Sequence, residues 1–232
     1  LKRALKEGAD FIATGHYVLK RGNKLFQAKD KNKDQSYFLW TLTQKQLSKC
    51  LFPVGTYIKP DLRKLANKFG LPNHDKKDSQ GVCFIGPLDM KNFLSRYIKN
   101  KNGKIINIQG DVLGEHDGVY YYTIGQRHGL NIGDGGGPYY VIKKDLKKNI
   151  VYVGKEKDLG GIKTKITDLS WINKVKFPVK VDVKIRYRSK SEKAVLDKYG
   201  TLKFKKPIRA ITSGQSAVFY RGQELLGGGI IE

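Results

Sequence analysis

One cysteine, at the junction between a polar turn and an apolar run, is the residue of this sequence best suited to covalent chemistry. Residues 78–86 read DSQGVCFIG and contain Cys83. Gly81 permits backbone angles that other residues avoid, and residues 82–85 are typical of a short buried strand. A thiol in such a setting can have a tuned pKa, and the thiolate is its reactive form. The alternative is a cysteine that only fills space, which the residues alone favour.

The other cysteine, Cys50, is interpreted as a structural thiol, and the sequence holds no CxxC pair and no Cys/His cluster, so no structural zinc is expected. Few cysteines fit a reducing cytoplasm, where we expect the protein to act. Apolar runs fall short of the roughly 20 residues of a membrane helix. We expect no secretory or transit segment and no membrane partner.

The net charge of +24, from 45 basic and 21 acidic residues, points to a polyanionic partner such as RNA. The excess is +11 in residues 1–96, only +3 in residues 97–160, and +10 in residues 161–232. The alternative is a general lysine bias on solvated surfaces.

The N-terminal segment resembles half of an α/β unit. Residues 1–7 predict the end of a helix, and residues 10–14 predict a short strand that leads into Gly15 and His16. Ligands of open α/β sheets bind beyond the carboxyl ends of strands, where Gly15 and His16 are expected. The alternative for His16 is a hydrogen-bonded histidine at a strand end.

A basic loop and an aromatic helix are predicted next. Residues 33–40 read KDQSYFLW, and Asp34 or Ser36 is expected to cap a helix that carries the aromatic side chains. Ordinary helix capping is the alternative to a functional role for this loop. Further along, residues 120–130 contain Arg127 and His128, which are expected to contact RNA phosphate or to border the active-site cleft. The alternative is a basic turn between strands.

From about residue 162 the pattern changes to short alternating segments, which predict a small β-barrel or sandwich. They are residues 166–171, 179–187, 193–196, 202–204, 215–220 and 225–231. Arg186 and Arg188 flank Tyr187, and we expect both arginines on one face of a strand. Basic and aromatic side chains neutralise phosphates and stack on bases, although a solvated strand edge is the alternative.

Several motifs together carry a resemblance to a known family. They are GADFIATGHY (8–17), KDQSYFL (33–39), KDSQGVCFIG (77–86), YTIGQRHGL (122–130), KIRYR (184–188) and SGQSAVFY (213–220). In this order, and over essentially the whole chain, they are similar to the tRNA-specific 2-thiouridylases.

This resemblance implies a multidomain α/β plus β fold. Residues 1–96 would be the remainder of a Rossmann-like PP-loop ATP-pyrophosphatase domain with the second catalytic cysteine. Residues 97–160 would form a small β-rich central domain, and residues 161–232 a C-terminal β-barrel that binds tRNA. The family's phosphate-binding loop and first catalytic cysteine are expected upstream of residue 1. Since Met90 is the only methionine, the chain is expected to be a piece of a longer protein.

The resemblance also implies roles for individual residues. Cys83 would be catalytic, Gly15 would lie against ATP, and no residue is assigned to a metal. The residues implied to contact tRNA are His16, Lys33, Asp34, Gln35, Arg186, Tyr187 and Gln215.

The implied reaction is the ATP-dependent adenylation of the C2 oxygen of a wobble uridine, followed by attack of a Cys83 persulfide to form 2-thiouridine. A disulfide between Cys83 and the upstream cysteine would remain. The implied partners are the anticodon arm of tRNA and a sulfur-relay donor protein, with ATP and Mg²⁺ as cofactors. Two alternatives stay open: a non-catalytic tRNA-binding module, and a PP-loop enzyme that adenylates a small molecule.

Overall fold

Short strands make up most of the regular structure in a computed structural model that describes residues 1–76 and 89–232. The elements in chain order are α1 (Lys2–Lys6), β1 (Ile12–Ala13), β2 (Val18–Arg21), β3 (Lys24–Gln27), α2 (Gln44–Ser48), β4 (Cys50–Leu51), α3 (Lys59–Lys68), α4 (Met90–Ser95), β5 (Gly103–Asn107), β6 (Val112–His116), β7 (Tyr140–Asp145), β8 (Ile150–Gly154), β9 (Gly160–Trp171), β10 (Val179–Lys184), β11 (Glu192–Leu196), β12 (Thr201–Arg209), β13 (Ser216–Arg221) and β14 (Glu224–Ile231). Single 3-10 turns lie at Ser36–Leu39, Val119–Tyr121 and Glu156–Leu159. Among these helices, none has the length and apolarity needed to span a bilayer.

The chain divides into two compact units. The first contains Leu1–Lys76, Ile162–Lys206 and Ser213–Glu232, and the second contains the described part of Lys77–Gly161 together with Pro207–Thr212. The N-terminal residues and the C-terminal strands therefore share one unit. The domain boundaries after residues 96 and 160 stay a prediction.

Six strands of the first unit close into a β-barrel, in the order β13-β10-β11-β12-β9-β14 with β14 pairing back onto β13. The alternation of apolar and polar residues explains why these segments form the strands of a barrel, because it gives each strand one face toward the core and one toward solvent. In β10, for example, Val179, Val181 and Val183 are buried, whereas Lys180 between them is exposed. The predicted C-terminal barrel is confirmed.

The hairpin of β2 and β3 extends the barrel sheet. Leu25 and Phe26 of β3 pair with Leu225 and Glu224 of β14, and Gly22 makes the hairpin turn at a φ of +54°. Behind this sheet lies one core formed by both ends of the chain: Val18, Leu25, Tyr37, Trp40, Leu47, Ile172, Val218, Tyr220 and Leu225. The N-terminal segment therefore gains its apolar burial from the barrel.

The parallel pair of β1 and β4 is the α/β part of the described chain, with Ile12 opposite Cys50. The predicted strand over residues 10–14 is present but shorter, as β1 covers Ile12–Ala13. The thiol of Cys50 is buried and donates to the Gln46 carbonyl oxygen at 3.2 Å, as a structural cysteine would.

The second unit contains a four-stranded sheet in the order β6-β5-β8-β7, with β5 and β8 parallel. Its core consists of Ile105, Val119, Leu130, Val141, Val151 and Val153. Along β8, the buried Val151 and Val153 alternate with the less buried Ile150 and Tyr152. The predicted small β-rich central domain is confirmed.

His116, at the end of β6, is buried in this second unit. Its Nδ1 atom accepts a hydrogen bond from the backbone N–H of Gly118 at 3.0 Å, which places the proton of the neutral ring on Nε2. Nε2 has no hydrogen-bond partner among the described residues. Burial lowers the pKa of His116 from the ordinary value of 6.5, and the carbonyl of Asn149 and the charge of Asp117 oppose that shift.

Gly228 of β14 is required by the close approach of Trp40. A Cβ atom at this position would lie 2.8 Å from Cγ and Cδ2 of the indole and 2.9 Å from the Ala217 carbonyl oxygen. Real Cβ atoms do not make such contacts without displacing their neighbours. The glycine therefore lets the aromatic segment, residues 36–40, lie directly on the barrel wall.

We predict that Gly228→Ala lowers the free energy of unfolding by about 1–3 kcal/mol, because overpacking displaces the indole. Urea unfolding followed by tryptophan fluorescence reports on this unit, since both tryptophans, Trp40 and Trp171, belong to it. Gly15→Ala is the control, because Gly15 lies in the same unit and no described heavy atom lies within 4 Å of its Cβ position. An unchanged midpoint for Gly228→Ala would contradict the packing.

We predict that the second unit loses stability as the pH falls from above 6.5 to below it. Because the pKa of His116 is lowered in the folded state, the unfolded chain binds the proton more tightly than the folded chain does. The contribution of neutral His116 to the free energy of unfolding is therefore fully present above pH 6.5 and is lost as the pH falls below that value. His116→Asn keeps an acceptor near Nδ1 but does not titrate. Thermal unfolding across this range should give a shallower pH slope for the variant, and parallel slopes would refute the assignment.

Candidate nucleic-acid interface

Cys83 and the predicted strand over residues 82–85 lie outside the residues that the structure describes. The other predicted site residues all belong to the first compact unit: Gly15, His16, Lys33, Asp34, Gln35, Arg186, Tyr187 and Gln215. Their arrangement can therefore be described within one unit.

Gly15 and His16 directly follow β1, at its carboxyl end. The backbone N–H of Thr14 donates to the Leu51 carbonyl oxygen at 3.0 Å, which fixes this strand end. Nδ1 of His16 lies 2.9 Å from the Thr14 hydroxyl oxygen, and its ring meets the Phe52 ring edge-on at 6.5 Å. A Cβ atom at Gly15 would have no described heavy atom within 4 Å, so the described part of the chain leaves the space beside this backbone unfilled.

Asp30 shapes the basic loop before the aromatic segment. Its Oδ1 accepts from the backbone N–H groups of Asn32 and Lys33 at 3.0 and 3.2 Å, and its Oδ2 accepts from that of Lys59 at 2.9 Å. A carboxylate that accepts from the backbone two residues on forms an Asx turn. The loop therefore presents Lys31 and Lys33 from an ordered turn.

Asp34 is buried, with 6% of its surface exposed. Its Oδ1 accepts from the backbone N–H of Ala28 at 3.0 Å and of Ser36 at 3.3 Å. Its Oδ2 accepts from the Ser36 hydroxyl at 2.9 Å and lies 3.9 Å from Nζ of Lys184. Buried charges require such partners. In the structure this carboxylate connects the backbone of Ala28 and Ser36 with the side chain of Lys184. Its contact with tRNA stays a prediction.

A hydrogen-bonded chain continues from Asp34 into the barrel. The Ser36 hydroxyl, which gives its proton to Asp34, lies 3.1 Å from the Tyr220 hydroxyl; the Tyr220 O–H must therefore donate to it. Burial raises the pKa of Tyr220 far above that of an ordinary tyrosine, and the hydrogen bond with Ser36 opposes this only in part. The phenol stays protonated, as the donor role requires.

Gln35 connects the aromatic segment to the strand end at His16. Its side-chain oxygen accepts from the backbone N–H of Tyr17 at 3.0 Å, and its own N–H donates to the Tyr17 carbonyl oxygen at 2.9 Å. Since Tyr17 follows His16 directly, these two hydrogen bonds fix the position of His16 relative to Gln35.

Gln215 is exposed immediately before β13, where the aromatic segment is anchored. The next residue, Ser216, accepts from the Tyr37 hydroxyl at 2.9 Å through its carbonyl oxygen and from Trp40 Nε1 at 3.2 Å through its hydroxyl. Burial raises the pKa of Tyr37 to about 12, against the opposing positive charge of Arg186. The anchor is therefore neutral throughout the physiological range.

Arg186, Tyr187 and Arg188 form a turn after β10, which ends at Lys184. The prediction that both arginines share one face of a strand is wrong, because a turn lacks the two-residue alternation of a strand. The N–H and the hydroxyl of Ser189 donate to the Arg186 carbonyl oxygen at 3.1 and 2.8 Å and close the turn. Arg188 has a φ of +63°, a conformation uncommon outside glycine.

Tyr187 connects this turn to the aromatic segment. Its ring centroid lies 4.5 Å from that of Phe38 and 5.9 Å from that of Tyr37, and the guanidinium of Arg188 lies 5.3 Å from the Tyr187 ring. Two regions that are about 150 residues apart in sequence therefore meet here. Phe38 was not predicted, since the pattern around it does not distinguish an exposed from a buried aromatic residue.

Two further features complete the description. Arg127 and His128 are exposed in a turn of the second unit, where the Gln126 amide donates to the His128 carbonyl oxygen at 2.9 Å. Within residues 1–76 and 89–232, no group of three or more His, Cys, Asp and Glu side chains is arranged to hold a metal ion.

Known protein families match almost the whole chain. Residues 1–87 match the tRNA methyl transferase HUP domain, residues 91–155 the tRNA methyl transferase PRC-barrel domain, and residues 162–231 the Aminomethyltransferase beta-barrel domain. The chain is 44% identical over 247 residues to the tRNA-specific 2-thiouridylase MnmA of Bacillus licheniformis. The chain belongs to the tRNA-specific 2-thiouridylase family.

Other 2-thiouridylases show the same extent of similarity. The Listeria monocytogenes MnmA (serovar 1/2a) is 44% identical over 245 residues, and the Shigella dysenteriae MnmA is 45% identical over 242 residues. These alignments cover 100% and 97% of this chain, and that with Bacillus licheniformis covers 100%. The chain spans 66% of the length of each of these 2-thiouridylases. The HUP match confirms the predicted PP-loop type of the N-terminal part.

We predict that Asp34→Ala lowers the free energy of unfolding by about 2–4 kcal/mol, because it leaves two backbone donors, the Ser36 hydroxyl and the Lys184 ammonium without their acceptor. Urea unfolding by tryptophan fluorescence measures this. Lys31→Ala, an exposed neighbour in the same loop, should change stability by less than about 0.5 kcal/mol. Equal stabilities for wild type and Asp34→Ala would show that the carboxylate does not hold the loop.

Proposed function

We propose that the protein is a tRNA-uridine 2-sulfurtransferase that uses ATP to make 2-thiouridine. The observation that carries this proposal is the 44% identity to 2-thiouridylases along the whole chain. The arrangement of the first unit supports it, because the residues expected to contact tRNA are gathered there. The high net charge of +24 supports a polyanionic substrate.

The proposed chemistry proceeds in two parts. ATP activates the C2 oxygen of the wobble uridine as an adenylate, with release of pyrophosphate. The terminal sulfur of a Cys83 persulfide then attacks C2, and AMP leaves. A second cysteine, expected upstream, attacks the Cys83 sulfur to free the thiocarbonyl and leaves a disulfide, which an external thiol reduces. The sulfur reaches Cys83 from a relay donor protein.

The described residues would bind and position the RNA. Lys33 and Arg186 supply positive charge, and phosphate contacts of this kind fix orientation without reading sequence. Tyr187 offers an aromatic ring. His16 directly precedes Tyr17, which is hydrogen-bonded to Gln35, and Gln215 directly precedes Ser216, which is hydrogen-bonded to Tyr37 and Trp40. Asp34 and Gln35 would act through the loop geometry that they hold.

Gly15 fits a bound nucleotide, because no described heavy atom fills the space beside its backbone at the carboxyl end of β1. ATP would supply the activating adenylyl group there. The described residues offer no carboxylate cluster for Mg²⁺, so no step is assigned to the metal. We further propose that the protein acts in the cytoplasm, where thiols stay reduced.

The family match favours sulfur transfer over the two alternatives. A non-catalytic tRNA-binding module would bind tRNA in a salt-dependent manner without ATP turnover. A PP-loop enzyme for a small molecule would release pyrophosphate in the absence of tRNA. Pyrophosphate release that requires tRNA separates the proposed activity from both.

We predict that Cys83→Ser abolishes 2-thiouridine in a strain that depends on this gene, because serine cannot carry a persulfide. Mass spectrometry of tRNA nucleosides measures it. Cys50→Ser is the matched control and should retain 2-thiouridine, since the Cys50 thiol is buried and bonded to Gln46. Unchanged 2-thiouridine in the Cys83→Ser strain would rule the proposal out.

A further inference from the structure

A cationic pocket lies between the basic loop and the turn after β10. It has a volume of about 420 Å³ and is lined by Lys31, Asn32, Lys33, Lys184, Arg188 and Ser189. Four of these residues are cations and two are neutral hydrogen-bonding residues. All six belong to the first unit. Such a lining selects an anion.

The cations of this pocket are held by the surrounding structure. Lys184 lies 3.9 Å from the buried carboxylate of Asp34 and 5.3 Å from the Tyr220 ring, and only 18% of its side chain is exposed. The Asp30 turn holds the loop on the opposite wall. A site whose charges are already positioned loses little side-chain entropy when an anion binds.

An exposed aromatic ring adjoins the pocket wall. Phe38 is 53% exposed, and its ring lies against Tyr187, on which the pocket residue Arg188 also lies. The ring of Phe38 therefore offers an accessible apolar face beside the cationic pocket. The flat face of a nucleobase stacks on such rings in proteins that bind unpaired RNA.

We propose that the pocket binds one backbone phosphate of the RNA and that Phe38 stacks on the adjoining unpaired base. Lys31, Lys184 and Arg188 neutralise the phosphate, and Asn32 and Ser189 offer hydrogen bonds to its oxygens. The ligand is thus a single-stranded nucleotide unit within a larger RNA. This inference rests on the proposed function, which supplies tRNA as the partner, and adds residues to which the resemblance gives no role.

The charge part of the proposal is tested with Lys31→Gln/Arg188→Asn, in which asparagine suits the positive φ of residue 188. Filter binding of tRNA at several salt concentrations should show weaker binding and a salt slope reduced by about 0.7–1, the loss of one phosphate contact. Lys64→Gln/Lys68→Gln removes two exposed charges of α3 as the matched control. A slope equal to that of the control would overturn the phosphate site.

The stacking part is tested with Phe38→Ala and Phe38→Leu. Both should weaken binding of an unpaired RNA oligonucleotide by about tenfold, with an unchanged salt slope and unchanged binding of heparin, which has no bases. Leucine keeps an apolar contact with Tyr187, so a loss shared by both variants reports on the aromatic face. Phe69→Ala, at the 71% exposed Phe69 after α3, is the control.

The outcomes separate this inference from the proposed function. If the wild-type chain binds tRNA and the Phe38 variants bind RNA like the Phe69 control, the stacking site is wrong and the proposed function stands. If Phe38→Ala weakens heparin binding as strongly as RNA binding, the base contact is also refuted. If the wild-type chain shows no salt-dependent binding of tRNA, the RNA partner itself is wrong and the inference falls with it.

Discussion

The buried carboxylate of Asp34 is the constraint on which the rest of the described interface depends. A charge removed from water is stable only if every oxygen finds donors. Here the donors come from both ends of the chain: the backbone of Ala28 and Ser36, the Ser36 hydroxyl and the ammonium of Lys184. Satisfying this group therefore fixes the basic loop on the barrel, and Tyr220 continues the connection into the core.

In this interface, the residues that fix the geometry of the loop differ from the residues that carry its exposed charge. Asp34, Gln35 and Ser216 use their polar atoms inside the protein, whereas the side chains of Lys31, Arg188 and Phe38 are exposed. A motif such as KDQSYFL thus contains both kinds of residue. A substitution in it can weaken RNA binding through lost contact or through lost loop geometry, and stability measurements distinguish the two causes.

Much of the fold followed from local pattern. Alternating apolar residues in β10 and β11 predicted strands because one face of a barrel wall is buried, and the change of pattern near residue 162 marked the barrel. The segment over Ser36–Leu39 formed one 3-10 turn instead of the predicted helix, because the ring contacts and hydrogen bonds to Ser216 and Tyr187 determine its path. Arg186 and Arg188 were misplaced on a strand, since the end of β10 depends on where its partners stop.

The sequence by itself determined the family, the net charge of +24 and the residue types of the site, because motifs and composition are properties of the chain order alone. Only the tertiary structure decided that residues near 34, 187 and 216 meet in one unit. It also showed that Asp34 is enclosed and that Phe38 stays exposed. Burial and proximity arise from barrel closure, which brings together segments that are more than a hundred residues apart.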